Sequence, residues 1–294
     1  MQALKKHWYN VIGNHDSNIE ATEDHLSDES FESLFGPANY SFNYGKVHFI
    51  ILDDIIWHGK RPNSGPYTGG FRADQLEFIK NDLAYVPKDN LVVLAFHIPL
   101  NHKENAFRTE DRKKLFSLLK EYPYTLSLSA HTHKQSQFFH YKDAGWLRDE
   151  PHHEYNVGTT NGDWYSGEIN QHGLPDATMR DGTPQGYAYL RIAGNKYTID
   201  YKVAGKPEAH QMKIYNPKVV PHRKNTSAGI FVNFFMGGEK DNVECRVDEG
   251  EWRKMNRVQI NDPYYLSLLY KWDTTEKLMP GRRPSRPDTS THLW

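Results

Sequence analysis

Leu91-Val92-Val93-Leu94-Ala95-Phe96 is an almost unbroken apolar run of strand length, the signature of a strand covered on both faces. Tyr124-Thr125-Leu126-Ser127-Leu128-Ser129 alternates more openly and runs into His131. Trp8-Tyr9-Asn10-Val11-Ile12 is short, aromatic and β-branched, and Gly13 ends it, so it reads as another strand. Helical periods lie between these runs. Arg72 to Tyr85 sets Leu76, Ile79 and Leu83 on one face. Thr109 to Tyr122, opened by Thr109 as N-cap, turns Leu115, Phe116, Leu118 and Leu119 inward. A shorter helix carrying Phe31, Leu34 and Phe35 is stopped by Gly36-Pro37. Tyr40 to Tyr44 and Val47 to Leu52 read as a hairpin turning at Gly45. Strands alternating with helices predict an α/β fold, with ligands gathered beyond the carboxyl ends of the strands.

The pattern changes along the chain. Residues 53–70 are rich in Gly, Pro, Asn and Ser and read as a long loop; 142–185 is a second irregular stretch. Gly186 to Ala193 and Lys196 to Val203 form a hairpin around Gly194-Asn195. Gly205-Lys206-Pro207 reads as a linker, which divides the chain into domains 1–203 and 204–294. Beyond it come short strands only: Met212 to Tyr215, Ile230 to Phe235, Val243 to Val247 and Tyr264 to Tyr270. Strands with turn signals and no helix predict a small β-sandwich. The basic, Pro-rich tail from Pro280 to Pro287 reads as solvated.

Three motifs carry chemistry: Gly13-Asn14-His15-Asp16, His97-Ile98-Pro99-Leu100 and Ala130-His131-Thr132-His133. Each follows a predicted strand. Together they offer one amide oxygen and several imidazoles, and imidazole suits Zn, Mn and Fe. In a straight strand His131 and His133 would point the same way, whereas a turn after Ser129 aims them at two adjacent ions. Two ions can position a hydroxide and stabilise both the attacking and leaving oxygens of a phosphoryl transfer.

These motifs resemble those of the calcineurin-like metallophosphoesterase superfamily. Gly69-Gly70-Phe71, Gln75-Leu76, Asn81-Asp82-Leu83, Val86-Pro87-Lys88-Asp89 and Glu154-Tyr155-Asn156-Val157-Gly158-Thr159-Thr160 extend the likeness to a bacterial branch with a dedicated C-terminal β domain. The resemblance implies a four-layer α-β-β-α sandwich, N-terminally incomplete, followed by a small all-β sandwich-like domain. It implies that Asn14, His97 and His131 bind one metal and His133 the other. It implies that His15 contacts the phosphoryl group or protonates the leaving oxygen, and that Asp16 orients His15 or caps the turn. Two family motifs, Asp-x-His and Gly-Asp, are not found upstream of Gly13, and Ala130 stands where the family has Gly. The ends therefore read as clipped. Two divalent transition metals (Mn, Fe or Zn) are expected in the complete enzyme and at most one in this chain.

Other candidates carry two readings each. Trp164 and Tyr165 form a substrate-stacking wall or pack a domain junction; Asn156 is a substrate-binding candidate; His152-His153 is a loop or a second site. Arg180 forms a salt bridge or clamps a phosphate. The 294 residues suffice for two domains, and mean hydropathy of −0.79 describes a polar chain with no run long enough to span a bilayer. Net charge of −1 argues against nucleic acid as partner. One cysteine, Cys245, excludes an intramolecular disulfide. The expected partner is a phosphoester small molecule or a phosphorylated envelope component, with a periplasmic or secreted location favoured. The rival reading is an inactive fragment, or an envelope- or glycan-binding module using Trp146 and Trp164.

Overall fold

In the computed structural model the described residues are 6–59, 65–101, 106–222 and 226–294. The chain forms two compact units. One comprises residues 1–131, 138–156 and 192–197; the other comprises 132–137, 157–191 and 198–294.

The first unit is built on a mixed sheet. Its strands are β1 (Tyr40–Tyr44), β2 (Val47–Ile51), β5 (Leu91–Ala95), β6 (Thr125–Ser129), β8 (His152–Asn156) and β7 (Ser136–His140), in that order across the sheet. β1 and β2 are the expected hairpin, with Tyr40 opposite Ile51 and Gly45 at φ 60° in the turn. β2, β5, β6 and β8 run parallel, with Val47 beside Leu91 and Leu126 beside His153. Every residue of β5 is buried, as its unbroken apolar run requires of a central parallel strand. Helices α2 (Ala73–Leu83) and α3 (Thr109–Leu119) add Ile79, Leu83, Leu115, Phe116 and Leu119 to the core around Val92, Leu94 and Phe96. Each such side chain, fully buried, contributes roughly 1.5–3 kcal/mol. Thr109 is the first helical residue, one place inside its expected capping position. In α1 (Glu29–Phe35) only Phe31 is buried, while Leu34 and Phe35 lie exposed.

Several local expectations are corrected. Residues 8–12 form no backbone ladder; the segment is tied instead by side chains, with Tyr9 stacked 3.9 Å from Phe42 and the Tyr40 hydroxyl donating to Asn10 O. The stretch 53–70 is not all loop: β3 (Ile55–Trp57) pairs antiparallel with β4 (Tyr67–Gly69), and Trp57 is buried. The part of that loop at 60–64 lies outside the described residues, as does the start of the chain at 1–5. His152 and His153 belong to β8 rather than a loop.

The second unit holds small antiparallel pairs: β9 (Gly167–Glu168) with β16 (Gly281–Arg282), β12 (Met212–Tyr215) with β13 (Phe231–Phe234), and β14 (Glu244–Cys245) with β15 (Arg253–Lys254). The hairpin β10 (Gly186–Ala193) and β11 (Lys196–Val203) forms as expected, its tip belonging to the first unit. Tyr264 to Tyr270, expected as a strand, is helical: α4 runs Pro263–Thr274. The tail 280–287 is largely exposed, with Pro284 buried, while beyond it Leu293 and Trp294 are buried and Trp294 exchanges backbone bonds with Val232. The sequence expectation of an α/β domain with further small β elements is met. No helix among the described residues is long and apolar enough to cross a membrane.

Candidate functional site

The turn Gly13–Asp16 closes on itself: Asp16 N donates to Gly13 O, and Gly13 N donates to the Asp16 carboxylate, both at 2.9 Å. Asp16 thus caps the turn, one of its two expected roles. A Cβ on Gly13 would lie 3.1 Å from Cε1 of His97, so glycine here lets the imidazole approach the backbone. Asn14 projects from this turn and His15 is exposed beside it.

Three of the expected ligands converge in the first unit. His97 Nε2 lies 2.8 Å from Asn14 Oδ1; His131 Nδ1 lies 3.2 Å from the same oxygen and 3.1 Å from His97 Nε2. Not all three contacts can be hydrogen bonds. If both ring nitrogens donate to the amide oxygen, their hydrogens face each other. A cation taking one lone pair from each atom satisfies all three. Metal–nitrogen bonds of about 2.0–2.1 Å place ligands at right angles about 3 Å apart. The triangle therefore fits one face of a coordination sphere, and its amide and imidazole donors suit a divalent transition metal. Among the described residues no group of three or more His, Cys, Asp or Glu side chains is placed to hold a metal ion; the third donor here is an asparagine.

Polar groups outside the three motifs set this triangle, Asp54 and Glu154 fully buried and Tyr67 half-buried. The Asn14 amide donates to Tyr67 Oη at 3.0 Å, which leaves its oxygen facing the two histidines. Burial raises the Tyr67 pKa, which keeps the phenol neutral. Asp54, fully buried, accepts from His97 N at 3.0 Å and from Ile98 N through both oxygens, at 3.1 and 2.9 Å. Burial pushes its pKa well above the carboxylate range, against the pull of these amides. Glu154, also fully buried, accepts from Leu100 N at 3.0 Å, from Ser129 Oγ at 2.7 Å and pairs with His140 at 2.7 Å. Ala130 N donates to His97 O, joining the two histidine turns directly. Asp53-Asp54 are visible in the sequence only as an acidic pair after an apolar strand; Tyr67 carries no such signal.

Asn156 is corrected as a substrate contact. Its side chain is fully buried, and its amide donates to Ser129 Oγ and to the Ala130 carbonyl. It supports the turn that carries His131. Trp146 is likewise removed from any binding surface: it is buried against Phe116.

His133 belongs to the second unit. Its backbone is left-handed, at φ 54°, and its ring lies 4.6 Å from that of Trp164, which is 44% exposed. Arg180 takes the ion-pair reading: it lies 3.9 Å from the buried Asp163 and donates to Thr132 O. Trp164 and Tyr165 are both left-handed, at φ 53° and 52°. Gly162 makes their turn possible, because a Cβ there would meet Ala177 O at 1.6 Å.

Comparison with known proteins gives the same direction. No curated protein matches the chain. Among solved structures it is similar to a purple acid phosphatase from yellow lupin (Lupinus luteus) seeds, at 14% identity and a TM-score of 0.44, over 66% of this chain and 38% of that one. The chain thus spans well under half of that protein's length. The family model for calcineurin-like phosphoesterase matches residues 1–135, and the model for the C terminal of calcineurin-like phosphoesterase matches 154–294. Matched from 1 to 135 by one and from 154 to 294 by the other, the chain belongs to the calcineurin-like phosphoesterase family and carries that family's own C-terminal domain.

Proposed function

We propose that this chain serves metal-dependent hydrolysis of a phosphoester, with Asn14, His97 and His131 holding one divalent transition metal and His133 contributing to a second. The observation that carries the reading is the triangle of Asn14 Oδ1, His97 Nε2 and His131 Nδ1, with sides of 2.8, 3.1 and 3.2 Å. Calcineurin-like phosphoesterases use dinuclear metal centres; bound there, the ions supply positive charge for the phosphoryl oxygens and an activated water. The remaining work falls to side chains. Tyr67 orients the Asn14 amide, and Asp54 and Glu154 fix the backbone beneath His97. His15, exposed next to Asn14, holds the proton that the leaving oxygen takes up. Trp164 offers a ring for the organic part of the substrate. The substrate class is a phosphomonoester, phosphodiester or pyrophosphate, free or on an envelope component. Mn, Fe and Zn all suit the donor set.

Elemental analysis after dialysis against Mn²⁺ or Zn²⁺ tests the tripod. One ion per chain is expected; His97→Ala should lose it and His15→Ala keep it. In hydrolysis of aryl and alkyl phosphates, His15→Ala should lower kcat by about 10² to 10⁴-fold, least where the leaving group needs no proton. Metal loss in His15→Ala, or equal impairment on both ester types, would overturn the assigned roles.

A further inference from the structure

The family motif Ala130-His131-Thr132-His133 is divided between the two compact units, His131 ending one and Thr132 opening a segment of the other. The segment 132–137 is gripped by residues of the C-terminal half of the chain. Arg180 donates to Thr132 O at 2.8 Å. Lys134 pairs with Asp288 at 3.0 Å. Gln135 N donates to Asp181 Oδ2 at 2.8 Å, and the Gln137 amide donates to Met236 O. Between the first two of these anchors sits His133, a non-glycine residue in the left-handed region. Such a conformation costs about 1–3 kcal/mol and persists only where its flanks over-determine it. Here the flanks are over-determined.

Asp181 is the centre of that grip. It is fully buried, and its other oxygen accepts from Thr183 N at 3.0 Å. His292 pairs with the Oδ2 that also receives Gln135 N, at 3.1 Å. The other ring nitrogen of His292 is 2.9 Å from Asn233 Oδ1. His292 O in turn accepts from Phe234 N of β13 at 3.1 Å. A continuous path of hydrogen bonds therefore runs from β13 through His292 and Asp181 to the backbone two residues past His133. The ring of Trp164, at 4.6 Å, confines the His133 imidazole from the side.

We propose that the C-terminal domain works as the brace of the second metal ligand: Asp181, held by His292, is a positioning residue that fixes His133 in its ligating conformation. The chemical consequence rests on the reading of His133 as a ligand; the mechanical part does not.

The full chain carries the test, with two readouts. Amide hydrogen exchange follows the segment 132–137 against 91–100, which has no part in the brace. Co²⁺ titration follows the quenching of Trp164 emission, with Trp164→Phe as the blank; the part of it that His133→Ala abolishes reports an ion held by His133 rather than by the tripod. Asp181→Asn keeps the shape of the side chain but turns an amide donor toward Gln135 N. It should speed exchange at 132–137 about tenfold and raise the quenching midpoint by about tenfold, the scale expected when a ligand's outer support is lost. His292→Gln, which can still donate to Asp181, should keep both close to the parent values. Lys134→Met removes a partly exposed anchor and is read in the same way should Asp181→Asn fail to fold. Exchange that rises equally across β12, β13 and α4, with the midpoint unmoved, would show a merely structural role and overturn the proposal. If exchange behaves as expected but Co²⁺ never quenches Trp164 in the parent chain, the brace stands and His133 is no ligand.

Discussion

At the scale of single residues, the site is shaped less by its ligands than by what holds their backbones. Asp54 accepts three amide contacts from His97 and Ile98, so the imidazole arrives at Asn14 from a fixed origin. Asp54→Asn keeps one acceptor but points an NH₂ at the remaining N–H. It should lower Mn²⁺ or Zn²⁺ affinity about 10- to 100-fold, with about 1–3 kcal/mol of stability lost. Calorimetric titration beside thermal unfolding separates the two effects; unchanged affinity in the folded protein would reduce Asp54 to a core residue. Tyr67→Phe is a milder case. It frees the Asn14 amide to rotate and should weaken metal binding by several-fold, because the lost hydrogen bond is worth about 1 kcal/mol. Asn14, His97 and His131 were legible in the sequence because their motifs are contiguous. Tyr67, Asp54 and Glu154 were not. Their roles depend on groups 40 or more residues away, backbone amides for Asp54 and Glu154 and the Asn14 side chain for Tyr67, and no local pattern encodes such a bond.

At the scale of elements, legibility tracks how local the determining signal is. Helix α4 starts at Asp262, whose side chain accepts from Tyr265 N at 2.8 Å, with Pro263 at the first helical position. Asp262→Ala should cost about 1–2 kcal/mol and speed amide exchange in the first turn of α4, ahead of β12 and β13. Exchange unaltered there would mean the cap is idle. That Asp-Pro start is present in the sequence, yet the aromatic and aliphatic run after it has the composition of a strand. The period settles the matter: Tyr265 and Leu269, four apart, are the buried pair. The hairpins at Gly45 and Gly194-Asn195, and the buried strand β5, were legible because turn chemistry and an unbroken apolar run are local. Residues 8–12 carry strand-like composition but no ladder, since pairing depends on a neighbour that composition does not reveal. Pairs of two residues each, such as β14 with β15, are too short to carry a strand pattern of their own.

At the scale of the whole molecule, opposed buried titrations shape the dependence of stability on pH. Burial lowers His153 to a pKa of about 4 and His152 well below its ordinary value. Both stay neutral in the fold, their rings meeting Tyr197, Thr125 and Ser127 hydroxyls at 2.8 Å. Unfolded, each takes a proton near pH 6.5. Their contribution is therefore full above pH 6.5 and lost as pH falls toward 4, since the unfolded chain then binds more protons. Asp53 acts in the opposite sense. Burial raises it to about 7, so the fold holds a proton that the unfolded chain has released above pH 4. Its effect is to lower stability as pH rises from 4 to 7. Each titrating group contributes a slope of up to about 1.4 kcal/mol per pH unit. Asp54, raised likewise by burial, acts with Asp53, so two buried carboxyls oppose two buried histidines and these groups leave the parent's stability nearly flat between pH 4.5 and 6.5. Single substitutions should expose them. In urea unfolding, the stability gap between the parent and His153→Gln should shrink as pH falls from 6.5 to 4.5. The gap between the parent and Asp53→Asn should move the other way, against the parent, as pH rises from 4.5 to 6.5. Two gaps that run parallel with pH, or His153→Gln with a gap independent of pH, would contradict the burial that sets these shifts.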